Sequence, residues 1–152
     1  MVYYPVFLNI EGLAVLVVGA GPVGLRKARG LVEAGAKVTL VALECAENDL
    51  QSLGIQWLKR RFRTTDLRGK ALVFAATNDR KVNAMIASKC RLAGVWVNVA
   101  DAPEEGSLIV PARVRDGSLQ IAVTTGGEDP QMAKAMRQRL ESILGEFREK
   151  LV

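Results

Sequence analysis

Leu13-Ala14-Val15-Leu16-Val17-Val18-Gly19-Ala20-Gly21-Pro22-Val23-Gly24 is the stretch on which the fold turns. An unbroken apolar run ends in three glycines spaced G-x-G-x-x-G, and a helical pattern begins at once. That order is a buried strand, a tight turn and a helix N-terminus, the setting in which this spacing denotes dinucleotide binding. Gly19 permits the sharp turn off the strand. Gly21 lacks a Cβ, so a pyrophosphate can approach the backbone, and Gly24 lets the helix sit close to the sheet. The helix start offers unpaired N–H groups and a positive dipole end to the phosphates. Pro22 suits an early helical position, where its missing N–H costs nothing. With Val23 these residues are the candidate cofactor contacts. The competing reading, a turn of structural use only, is disfavoured by the strand before it and the helix after it.

The 152 residues, 49% apolar and 24% charged, suffice for one domain with a real core and a small appendage. The net charge of +5 favours an acidic ligand. Two Trp, two Tyr and four Phe are too few for stacked bases and do not interleave with basic residues, so nucleic acid is not the expected partner. Cys45 and Cys90 show no CxxC and no metal-ligand spacing. They read as two reduced, partly buried thiols of a cytosolic protein. Met1–Ile10 has no basic n-region and no small-residue cleavage site, and no apolar run approaches a membrane span. The expectation is a soluble, cytoplasmic protein without a membrane partner. Histidine is absent. Ser-His-Asp and Cys-His triads and His-ligated zinc are therefore excluded, and acid–base chemistry falls to carboxylates, lysine, cysteine, tyrosine or the substrate. No metal site is expected.

Outward from the glycine turn, Tyr3 to Ile10 reads as an extended lead-in, with Glu11-Gly12 as a turn. Strands are expected at Leu13–Val18, Lys37–Ala42, Ile55–Leu58, Ala71–Ala76 and Val95–Val99. Helices are expected at about Val23–Ala34, with Val23, Ala28, Leu31 and Val32 inward, at Ala46–Leu53, and at Lys81–Ala93 with Val82, Met85, Ile86 and Leu92 inward. Gly35, Gly54 and Gly94 close them. Lys59-Arg60-Arg61-Phe62-Arg63 reads as a solvated strand end. The alternation predicts an α/β Rossmann-like doubly wound parallel sheet. Ligands then lie outside the carboxyl ends of the strands, where Gly19–Gly24, Leu43, Thr77 and Asp101 fall.

Such folds place an acid about 20 residues after the glycines to hold the adenosine ribose. Here Val41-Ala42-Leu43-Glu44 occupies that place, and Glu44 stands slightly late. It either reaches the ribose or starts the next helix; backbone groups around Leu43 and Glu44 are the other way to hold it. No basic residue beside this strand end greets a 2′-phosphate, which favours NAD over NADP. Beyond Asp101 the pattern changes. Leu108–Val114 is extended, Arg115-Asp116-Gly117-Ser118 is a hairpin turn, and Leu119–Thr124 is the return strand. Asp129 caps a long helix with Pro130 at its first position and an apolar stripe at Met132, Met136, Leu140, Ile143, Leu144 and Phe147. A hairpin and one helix cannot bury that stripe, which predicts packing on the first unit or on a second copy, a homodimer.

Residues across nearly the whole chain carry a further match. They are Tyr4-Pro5-Val6-Phe7-Leu8, Leu16-Val17-Val18-Gly19-Ala20-Gly21-Pro22-Val23-Gly24, Arg26-Lys27-Ala28, Ala75-Ala76-Thr77-Asn78-Asp79 with Asn83, Val97-Asn98-Val99-Ala100-Asp101-Ala102-Pro103, and Ile121-Ala122-Val123-Thr124-Thr125-Gly126-Gly127 with Pro130 and Arg137. The chain resembles the precorrin-2 dehydrogenase module of siroheme synthase, a family in which some members are also sirohydrochlorin ferrochelatases. The glycine fingerprint is common to many dehydrogenases; the Asn98–Pro103 and Thr124–Pro130 segments are far more specific.

The resemblance implies an NAD-binding domain over residues 1–112, a hairpin–helix dimerisation region over 113–152, and a helical C-terminal extension that is largely absent here. It implies NAD-dependent oxidation of precorrin-2 to sirohydrochlorin, with the ferrochelatase half less secure. Asp101 matches the family's key acid and becomes the candidate general base; a loop-capping Asx role is the alternative. Arg113, Arg115, Lys134 and Arg137 become candidate partners of the tetrapyrrole, because cations, Arg above all, pair its carboxylates, and Asn98, in the matched segment, is a further candidate for substrate contact. Thr125 matches a position that is a phosphorylatable serine in some relatives, or simply caps its turn. Two other classes stay open: an NAD-sensing regulatory module, and a non-catalytic dimeric scaffold of the same fold.

Overall fold

A computed structural model describes residues 3–47 and 49–151, with side chains as far as Glu146. It divides into two compact units, Pro5–Leu108 and one that joins Tyr3 and Tyr4 to the stretch from Ile109 onward. The first contains β1 (Ala14–Val18), α1 (Pro22–Glu33), β2 (Lys37–Ala42), β3 (Ile55–Lys59), β4 (Leu72–Ala75), α2 (Arg80–Ala93) and β5 (Trp96–Val99). The five strands form one sheet in the order β3-β2-β1-β4-β5, parallel at every pairing. This is the expected Rossmann-like architecture.

The period of two in a strand explains why β1 is apolar at every position. Val15 and Val17 face one side, with Val38, Leu40, Phe74 and the α1 residues Ala28 and Leu31. Leu16 and Val18 face the other, with Val41, Val73, Val97, Val99 and the α2 residues Ile86, Ala87 and Cys90. Burial pushes the Cys90 thiol up to about 11, so it is inert packing. The strand order reverses between β1 and β4, which opens a crevice at their carboxyl ends.

Three expectations are corrected. Among the described residues of the stretch 46–53 no helix forms. Local bonds take its place: Cys45 Sγ accepts from the Glu47 N–H, and Asp49 Oδ1 from the Ser52 N–H. Buried Leu50 then anchors the turn that leads into β3. The inward face of α2 is Asn83, Ile86, Ala87 and Cys90, while Met85 and Leu92 are exposed. The Asp79 carboxylate, accepting from the Lys81 and Val82 N–H groups, starts the helix at Arg80 and so sets that face. On α1, Gly24 rather than Val23 is buried. The basic run is also less solvated than its composition suggests. Arg60 grips Asp66 through two hydrogen bonds of 2.6 and 2.9 Å, and this holds the Asp66 carboxyl below its ordinary value.

The second unit holds β6 (Ala112–Asp116), β7 (Leu119–Val123) and α3 (Pro130–Leu151). Asp116 lies opposite Leu119, so Gly117-Ser118 is a two-residue loop. Gly117 takes φ +60° at its first position, the demand of a type II′ turn. Asp129 Oδ1 accepts from the Met132 N–H at 2.8 Å and caps α3. Thr125 closes the preceding turn: its hydroxyl donates to the Asp129 carbonyl and accepts from the Asp129 N–H. Val114 and Ala133 are buried, but Met132 and Met136 are 56% and 45% exposed. Phe147 lies outside the described side chains.

Candidate functional site

The turn after β1 is built by the absence of atoms. Gly19 has φ +105°, and a Cβ there would sit 2.6 Å from the Ala76 carbonyl carbon and 2.8 Å from the Thr77 nitrogen. The ends of β1 and β4 can approach this closely only over glycine. A Cβ on Gly24 would strike the Gly19 carbonyl, so its close approach is to the turn itself more than to the sheet. Gly21 differs from both: its φ is −73° and a Cβ would meet nothing within 4 Å. The space over Gly21 is open, as a ligand cradle requires.

Pro22 opens α1, and the Leu25 N–H is the first to bond back, to the Gly21 carbonyl at 2.9 Å. The N–H groups of Val23 and Gly24 thus have no acceptor within the helix. No acidic side chain stands in the first turn to repel an anion. The observed turn fits a pyrophosphate. Leu43 and Glu44 follow β2 at the same end of the sheet, both exposed. The nearby Arg29 is paired with Glu47.

Across the crevice, side chains do the building. Thr77 follows β4 and Asp101 follows β5. Between them lies Asn83, one turn into α2 and 0% exposed. Its Oδ1 accepts from the Thr77 N–H at 3.1 Å and from the Thr77 hydroxyl at 2.7 Å. Its Nδ2 donates to the Thr77 carbonyl at 3.0 Å and to Asp101 Oδ1 at 3.0 Å. Both lone pairs and both protons of the amide are used. The polar groups of Thr77 are spent on Asn83 and Asp79. The Asp101 side chain is 37% exposed, with Oδ2 4.0 Å from Arg80 Nε. Arg80 is paired with Glu105, whose hydrogen bond, helped by the charges of Asp101 and Glu104, holds its guanidinium above its ordinary value.

Asn98 lies on β5, 5% exposed, its Nδ2 donating to the Leu108 carbonyl at 3.1 Å while its Oδ1 is buried without a partner. In the second unit Arg113 and Arg115 are exposed on β6, and Lys134 is exposed on α3. Arg137 is paired with Glu141, one turn along α3. Among the described residues no three His, Cys, Asp or Glu side chains cluster as metal ligands, and no helix is long and apolar enough to cross a membrane. Sequence reasoning left Arg80 and Asn83 without a site role. A signal for Asn83 was present: it repeats with Ile86 and Cys90 on one helical face, so a polar residue stands at a core position.

A parallel sheet, a glycine turn open over Gly21 and a reversal in strand order define a dinucleotide-binding domain. Residues 6–112 match the family described as "Putative NAD(P)-binding", and the chain belongs to that family. Residues 116–143 match a second family, described as "Sirohaem biosynthesis protein central". The chain is homologous to siroheme synthases. It is 40% identical to that of Tolumonas auensis over 95% of this chain, and 42% identical to that of Ectopseudomonas mendocina over 93%. It spans 31% of the length of either relative. The solved structure of SirC, a precorrin-2 dehydrogenase, superposes with a TM-score of 0.75 at 27% identity, over 92% of this chain and 70% of that one.

Proposed function

We propose that this chain oxidises precorrin-2 to sirohydrochlorin in siroheme biosynthesis, with NAD⁺ as cofactor. One observation carries the reading: an open glycine turn and a half-exposed carboxylate, Asp101, stand at the carboxyl ends of one parallel sheet. NAD⁺ supplies the hydride acceptor. The Val23 and Gly24 N–H groups hold its pyrophosphate, and Gly21 lets it approach. The backbone at Leu43 and Glu44 takes the adenosine end. Of the cations near the end of β2, Arg29 is bound to Glu47 and Lys59, opposite Ala42 in the register, lies over the Trp57 ring, an arrangement that supports NAD over NADP.

As the macrocycle gives up a hydride, Asp101 takes the proton that leaves with it. No histidine competes for that role. Arg113, Arg115 and Lys134 supply positive charge for the substrate's carboxylates, and Arg137 does so by exchanging Glu141 for a substrate carboxylate. A second copy of the chain covers Met132 and Met136, giving a homodimer in the cytoplasm. Precorrin-2 and NAD⁺ incubated with the protein should give the sirohydrochlorin spectrum. Asp101→Ala should lower kcat about 10²- to 10⁴-fold while NAD⁺ binding stays within threefold, about the scatter between contexts. Absence of turnover by the unaltered chain would overturn the reading. Iron added to sirohydrochlorin tests the ferrochelatase activity separately.

A further inference from the structure

We infer that Asn83 is the positioning residue for Asp101: it fixes Oδ1 as a permanent acceptor, so that the proton is taken at Oδ2. The inference rests on the proposed function for the identity of the reaction, but on the structure alone for the contact. Asn83 is fully buried and its amide can lie only one way round. The Thr77 N–H is a donor that cannot be reversed, so Oδ1 of Asn83 must face it, 3.1 Å away. Nδ2 must then face the Thr77 carbonyl and Asp101 Oδ1, each at 3.0 Å.

Asp101 therefore meets a fixed donor on one oxygen. A proton on Oδ1 would compete with the Nδ2 proton for the same oxygen and weaken that hydrogen bond. Oδ2 has no such partner; it stands 4.0 Å from Arg80 Nε on the open side. The same amide ties the acid to the backbone of Thr77, whose nitrogen lies beside Gly19. One buried side chain thus sets the distance between the acid and the cofactor turn.

Asn83→Asp is nearly isosteric and keeps the Oδ1 acceptor for the Thr77 N–H and hydroxyl, but it loses the bond to the Thr77 carbonyl and sets a carboxylate against Asp101. It should lower kcat for precorrin-2 oxidation about 100-fold, the scale expected when a reacting group is displaced by about 1 Å. KM for NAD⁺ should move less than about threefold, because the pyrophosphate cradle is untouched. Adding Asp101→Asn restores a donor–acceptor pair with its direction reversed. The double variant should melt above Asn83→Asp alone yet remain as inactive as Asp101→Asn. A residue of merely structural use would give additive losses in Tm, and that outcome overturns the inference, as does a wild-type kcat in Asn83→Asp. If Asn83→Asp does not fold, the cycle of Asn83→Ala, Asp101→Ala and their double variant reads the contact instead: non-additive losses in Tm support it and additive losses refute it. The Tm comparison needs no turnover, so failure of the proposed reaction and failure of this contact are read separately.

Discussion

The two sides of the crevice are made of different materials. After β1 the structure is shaped by missing atoms: Gly19 and Gly24 admit no Cβ, and Gly21 leaves room above itself. After β4 and β5 it is shaped by polar side chains: Thr77, Asn83 and Asp101 form a chain of hydrogen bonds around a buried amide. The first side is sensitive to volume and works without a charged side chain of its own. The second is sensitive to which atom donates and indifferent, within limits, to size. A backbone cradle can grip phosphate without a charged side chain, whereas a proton acceptor must be a particular atom held at a particular angle.

The largest effect should come from Gly19→Ala. Its Cβ would press on the end of β4 at a φ of +105°, so both sterics and backbone conformation oppose it. The cost should be about 3 kcal/mol or more, read as a large fall in Tm or loss of folded protein. A Gly19→Ala variant that melts like wild type would break the contrast at its strongest point. Gly21→Ala should do the opposite. It meets open space at φ −73°, so Tm should hold while NAD⁺ affinity falls about tenfold or more as the added methyl blocks the phosphate. Isothermal titration of NAD⁺ alongside thermal melting separates the two glycines.

A smaller effect tests a polar pair away from the crevice. The Asp66 carboxyl is held below its ordinary value, first by the Arg60 hydrogen bonds. A lowered folded-state pKa means that the pair's stabilisation is fully present above the unfolded value, 3.8, and is lost as pH falls through the folded one. Asp66→Asn should therefore lower Tm by a few degrees near neutral pH and flatten its decline below about pH 4. NAD⁺ affinity should not change. Melting curves from pH 6 to pH 2 check the slope; parallel wild-type and variant curves would sink the assignment.

How far the sequence foretold this depends on the kind of signal. The glycine spacing, the β-branched runs and the Asp79 and Asp129 caps act over a few residues, and they located the five parallel strands, α1, α2 and the start of α3. The segment after β2 was misread because its apolar spacing suits a helix, while Cys45, Asp49 and Ser52 bond their own backbone instead. The α2 face was misread by favouring Met85 and Leu92, when small and polar residues lie inward. Of the candidate site, the glycine turn was visible from spacing. Asp101 rested on the family resemblance, and Asn83 became a candidate only when three separate elements were brought together. Hydrogen bonds across 18 residues leave no periodic trace in a chain.

The saturated amide of Asn83 has one more consequence. Charge that arrives on or leaves Asp101 must be matched by the dipoles around it, and in water those dipoles spend energy turning. Here the nearest dipole is already aligned and cannot rotate, because each of its four hydrogen-bonding positions is occupied. The rearrangement that water would undergo at each proton transfer was completed once, when the chain folded.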